Sequence, residues 1–199
     1  MTEVKAFNRW DAVGVKVVDP GLISYITIAP RFLPKTGAKY AKQKFHKSKV
    51  FIIERIMNKM MVAGHRAKKH KISSGHNSGK SQLVSRIMIK VLEQLEIKTK
   101  QNPLQVVITA IENAAPREEI IAIEYGGARY PKAVESSPQR RVDLAIRFIA
   151  QGAAAKAFNT KKSIEDCLID ELLAAYNLSP NSNAISKKNE LERQADSSR

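Results

Sequence analysis

"EIIAIEYGGARYPKAVE", residues 119–135, alternates apolar and polar positions, as its neighbours do not. Ile121, Ile123 and Tyr125 interleave with Ala122 and Glu124, and a strand presents every second residue to one face. Gly126-Gly127 turns the chain, and "ARYPKAV" returns beside the first strand. A β-hairpin over 118–136 follows. Pro131 has no N–H to give to a ladder and belongs on an edge. A lone two-stranded hairpin is not stable in water, so it must pack on other elements or protrude from them.

On both sides the period becomes helical. Asn102 caps and Pro103 opens a helix with Leu104, Val107, Ile108 and Ile111 on one face, ended by Pro116. After the hairpin, Ser137 and Pro138 start another, with Val142, Ala145, Ile146, Ile149 and Ala153 as its apolar stripe. Arg140 and Arg147 lie opposite that stripe and Arg141 on its flank, with Asp143 able to neutralise only part of their charge. Upstream, "VFIIERIMNKMMVAG" (50–64) and "QLVSRIMIKVLEQLEIKTK" (82–100) carry the same spacing. Ser163-x-x-Asp166 is a capping-box-like start for a fifth helix. "NAISKKNELERQADSSR" (183–199) forms a sixth with a thin apolar face, expected to need docking or a partner. The expected fold is mainly α: a bundle of about six helices over 50–199, one protruding β-hairpin, and an extended basic N-terminal arm over 1–49. That arm has too little apolar surface to fold alone and is expected to be mobile until it orders on a partner.

Charge points to the partner. The chain has 34 Lys+Arg against 19 Asp+Glu. Residues 1–100 hold 21 basic and 6 acidic side chains, and residues 101–199 hold 13 of each. Within 31–90 there are 16 basic residues and a single acid, Glu54. A solvated surface normally mixes both signs, so a polyanion is the expected partner. Phe32, Tyr40 and Phe45 among the lysines suit stacking on exposed bases. No apolar run is long enough to span a membrane, and "MTEVKAFNRW" has no signal-peptide core. A membrane partner is not expected.

Enzymatic readings fail on spacing. Gly79-Lys80-Ser81 ends like a phosphate-binding loop, but the first glycine should stand at 74, which is Ser74. The preceding "HRAKKHKI" is no buried strand, so Lys80 is expected to meet a different phosphate, in a polar loop over 64–81. His46, His65, His70 and His76 lack the spacing of a metal site. Cys167 is expected to be a small buried hydrophobe, and Glu118 and Glu119 a solvated strand entrance. No catalytic residue, metal or cofactor is expected.

"NPLQVVITAIENAAPREE", "YGGARYPKAV", "SPQRRVDLAIRFIAQGA" and "KKSIEDCLIDELLAAY" together resemble the ribosomal protein S-seven family of the small subunit. "FNRW", "LPKTGAKYAKQKF" and the terminal "ELERQADSSR" resemble its archaeal and eukaryotic branch, leaning archaeal. The resemblance implies a non-enzymatic, cytoplasmic, structural rRNA-binding protein in the head of the small subunit. It implies binding to the 3′ major domain of the rRNA, support of head assembly, and neighbouring ribosomal proteins. Exit-site tRNA and mRNA are implied to lie nearby. It places Arg55 and Lys59 on an RNA-facing first helix and Arg140, Arg141 and Arg147 on the fourth. It also implies that the hairpin tip, Gly126, Gly127, Ala128, Arg129 and Tyr130, faces tRNA. Further expected rRNA contacts are Lys35, Lys39, Lys42, Lys44, Lys47 and Lys49 upstream, and Arg66, Lys68, Lys69, Lys71 and Lys80 in the basic loop.

Overall fold

Apolar residues at three- and four-residue spacing become six helices: α1 Ile52–Met60, α2 Ser81–Thr99, α3 Pro103–Ala114, α4 Pro138–Ala157, α5 Ile164–Tyr176 and α6 Asn183–Asp196. The computed structural model describes residues 4–37, 39–66, 69–70 and 75–199. Caps lie where the sequence puts them. The Asn102 side chain accepts from Leu104 N–H at 3.0 Å, with Pro103 at the first helical position. Ser163 Oγ accepts from Asp166 N–H at 3.1 Å and donates to the Asp166 carboxylate at 2.7 Å. α5 runs through the centre and packs on α2, α3 and α4, while α4 also packs on α1 and α6. Leu92, Leu95, Ile108, Ile111, Ile149, Leu168 and Leu172 are fully buried between them. Each such side chain contributes about 1.5–3 kcal/mol on leaving water. Cys167 is buried in this core, and burial pushes its thiol pKa up.

The short ladder β1 His65–Arg66 and β2 Lys69–His70 lies inside the stretch expected to be loop, pairing His65 with His70 and Arg66 with Lys69. The long hairpin is β3 Glu118–Tyr125 and β4 Ala128–Glu135, paired from Glu118↔Glu135 to Tyr125↔Ala128. Its two-residue turn has φ 57° at Gly126 and 81° at Gly127, the sign pattern of a type I′ turn that matches strand twist. The first three residues of β3 are half-buried against the bundle and the next five are exposed, so the hairpin projects.

Two segments are more integrated than periodicity suggests. α6 is docked on the hairpin base, α3, α4 and α5. Ala184, Ile185 and Ala195 are buried there, but polar ties do much of the holding. Lys188 Nζ donates to Asn113 O at 3.0 Å, Arg117 N–H to Glu192 at 3.0 Å, and Arg199 to Glu118 at 2.6 Å. Upstream of α1, Ala6, Trp10, Leu22 and Ile26 belong to the core. Trp10 Nε1 donates to Glu96 at 2.8 Å, and Thr27 bridges to Phe51. The backbone amides of Lys16 and of Val18 and Asp19 donate to Gln105 and Glu112.

Candidate nucleic-acid interface

The N-terminal turns and α4 cover α1 so well that two of its charged residues, Glu54 and Arg55, are buried. Arg55 is turned inward. Its side chain is 4% exposed and donates to Tyr25 O at 2.8 Å and Asp143 at 2.9 Å. The family resemblance implies an RNA-facing position for it, on the first helix. Instead the 3-10 turn Ile23–Tyr25 closes over that side of the helix. Arg141 is likewise turned inward, 12% exposed, with Nη2 2.7 Å from Asp19. Burial pushes the Asp19 carboxyl up, but the Arg141 bond, the Gly21 N–H and the charges of Arg141 and Arg117 together hold it below its usual value. Arg140 remains exposed, yet it forks onto Glu119 at 2.5 and 2.7 Å. That hydrogen bond raises the arginine's already high pKa and makes Glu119 a brace between α4 and the hairpin rather than a solvated strand entrance.

Acids at this surface are likewise taken up by internal partners. Glu54, the one acid within 31–90, is buried and accepts from Thr36 N–H at 2.8 Å and Thr36 Oγ1 at 2.6 Å. Asp143 is shared by Arg55 and by Lys47, whose Nζ is 2.6 Å away. Lys59 sits at the edge of this group. Its ammonium is held below the usual lysine range by burial first, then by Arg147, with Asp143 opposing and Lys47 adding.

Three open clefts lie along this surface. The first, about 380 Å³, is lined by Lys44, Phe45, Gln139, Arg140, Asp143 and Arg147, among others. Lys44 and Arg147 have no carboxylate partner among the described residues. The second, about 610 Å³, gathers Arg31, Lys35, His46 and Lys49. The third, about 450 Å³, gathers Lys35, Lys80 and Arg86 at the start of α2. Lys35 borders both of the last two, so sequence-distant cations form one continuous stretch. Arg31 and Arg86 were not among the expected contacts; Arg86 was legible as lying off the Val84–Met88–Val91 stripe. Lys42 is exposed, and Lys39 begins the 3-10 turn Lys39–Lys42. Arg66 and Lys69 are backbone partners in the β1–β2 ladder. Lys68 and Lys71 lie outside the described residues.

At the hairpin tip, Tyr125, Arg129 and Tyr130 are exposed, and Arg129 is only loosely paired with Glu124 at 3.5 Å. Gly79-Lys80-Ser81 leads into α2 with Gly79 at φ 75° and Lys80 in the cap position. Among the described residues no three His, Cys, Asp or Glu side chains gather as a metal site, and no helix is long and apolar enough to cross a membrane.

Comparison with known proteins identifies this arrangement. Residues 24–199 match the family model described as ribosomal protein S7p/S5e. The chain is 50% identical to the small ribosomal subunit protein uS7 of Nanoarchaeum equitans over 99% of its own length and 100% of the relative's. It is 45% identical to that of Archaeoglobus fulgidus, over 99% and 96%. It is 42% identical to that of Methanothrix thermoacetophila, over 98% and 100%. The chain therefore belongs to the ribosomal protein S7p/S5e family, structural and non-enzymatic proteins of the small ribosomal subunit.

Proposed function

We propose that the chain binds the 3′ major domain of small-subunit rRNA through the three basic clefts and thereby supports assembly of the subunit head. The observation that carries this reading is the sorting of charge. Glu54 and Asp19 are turned onto internal partners, and Asp143 on the wall of the first cleft is taken up by Arg55 and Lys47, while Lys35, Lys44, Lys80, Arg86 and Arg147 border open clefts. Cations so arranged neutralise phosphates and release counterions. Arg55 and Arg141 serve from within, by holding the scaffold that presents them. Lys42, Lys47, Lys49 and Lys59 flank the clefts and add to the field, and Lys39, Arg66, Lys68, Lys69 and Lys71 extend the basic stretch along the sequence.

The hairpin has a separate role in this reading. Its tip, Gly126–Tyr130, lies near exit-site tRNA and the mRNA exit channel. A turn without Cβ atoms is narrow enough to approach a nucleic-acid backbone, with Arg129 as the charge that meets it. Neighbouring ribosomal proteins take other faces.

Competition among equimolar transcripts of the 5′, central and 3′ rRNA domains tests the first part. The 3′ domain should retain the protein at ~150 mM salt, and equal retention by all three would defeat the assignment. For the hairpin, an Arg129→Cys chain carrying a photo-crosslinker should label exit-site tRNA on reconstituted subunits. Labelling of rRNA or protein alone would remove the tRNA role.

A further inference from the structure

Phe45 stands where burial does not explain an aromatic. It is 69% exposed and makes no ring contact among the described residues. Its backbone is left-handed, φ 57° and ψ 0°, a region that bulky L-residues seldom enter. The conformation is held in place: Ser48 Oγ and Ser48 N–H both donate to the Phe45 carbonyl, at 2.6 and 3.1 Å. Strain of this kind persists where the surroundings over-determine it, and it sets where a side chain lies. Here it sets the ring on the wall of the 380 Å³ cleft beside α4. Lys44 and Arg147 border the same cleft without carboxylate partners among the described residues. Gln139 lines it too, and its amide oxygen is enclosed without a hydrogen-bond partner.

We propose that this cleft takes an unpaired rRNA nucleotide, with its base stacked on the Phe45 ring and its flanking phosphates on Lys44 and Arg147. The proposal rests on the rRNA-binding reading and deepens it. A phosphate alone has no use for the ring, and a base-paired nucleotide has no free face to give it. An unpaired nucleotide has both features, and stacking on an aromatic within a basic groove is the usual way to hold one.

The test uses the full chain and a transcript of the 3′ rRNA domain, with three variants. Phe45→Gly removes the ring and suits the left-handed backbone, so the turn survives. It should weaken binding roughly 5- to 100-fold at ~150 mM salt, while Phe45→Tyr stays within about 2-fold of wild type. The dependence of log K on log salt should keep its slope in Phe45→Gly, since no phosphate contact is lost. Arg147→Gln should lower that slope by about one. Wild-type affinity in Phe45→Gly, on a transcript the wild type binds tightly, overturns the stacking and leaves the rRNA reading standing. Failure of the wild type to bind the transcript overturns both.

Discussion

Gly152 and Glu171 show how single residues hold the C-terminal part of the molecule together. A Cβ at Gly152 would stand 2.8 Å from Asn183 Cβ and 3.0 Å from Glu171 Cδ, closer than carbon atoms pack. Gly152→Ala should therefore destabilise the fold by about 1–3 kcal/mol in urea titration, although alanine is the better helix former. Beneath it the buried Glu171 carboxylate accepts from Lys156 at 2.7 Å, Ser182 Oγ at 2.8 Å and Ala184 N–H at 3.0 Å. Replacing Glu171 by Ala leaves the Ser182 hydroxyl without an acceptor in the core, while Ala184 N–H keeps its bond to Ser182 Oγ at 3.1 Å. A loss of about 2 kcal/mol is expected, because the half-exposed Lys156 ammonium can return to water. Asp19 gives a pH signature. Its folded pKa is depressed, so the unfolded chain takes up its proton first as the pH falls. The stability it contributes is present above the ordinary carboxylate pKa and is lost as the pH falls from there through the depressed folded pKa. Asp19→Asn should flatten the acid limb of a stability–pH curve, and an unchanged limb would show that its pair with Arg141 is not felt.

Elements differ in how much of them the sequence declares. α3 was fully legible because its cap, its proline and its apolar spacing agree. The β3–β4 hairpin was legible for the same reason, with the alternation and the Gly-Gly turn pointing one way. Substituting both glycines by alanine forces two left-handed L-residues, each costing about 1–2 kcal/mol. The amides of residues 121–132 should then exchange faster while bundle amides do not change. α6 and residues 4–28 were less legible because side-chain bonds to distant backbone groups hold them in place, and such bonds leave no period. Glu112 is one such anchor, accepting from the amides of Val18 and Asp19 at 2.6 and 3.0 Å. Glu112→Ala should raise exchange at those two amides by about 10-fold with little change in α5. The internal roles of Arg55 and Arg141 were hidden for a related reason. Helical periodicity shows which face of a helix is polar, but not whether another segment covers it.

Across the whole molecule, the neutral half and the basic half have different tasks. Residues 101–199 carry equal numbers of each charge and pair many of them internally, as in Arg140–Glu119, Lys156–Glu171 and Arg199–Glu118. The first half carries the whole net charge of +15 and withdraws Asp19 and Glu54 from its surface. Charge of one sign destabilises a compact free protein and favours association with a polyanion. The most direct test of this account is the affinity for the 3′-domain rRNA transcript across a salt series, with duplex DNA as competitor. The wild type should lose affinity linearly in log K against log salt with a slope steeper than about −3. Lys44→Gln and Arg147→Gln should each make that slope shallower by about one, and duplex DNA should compete poorly. A flat salt dependence, or DNA competing as well as the rRNA itself, would contradict the claim that these clefts are built for rRNA.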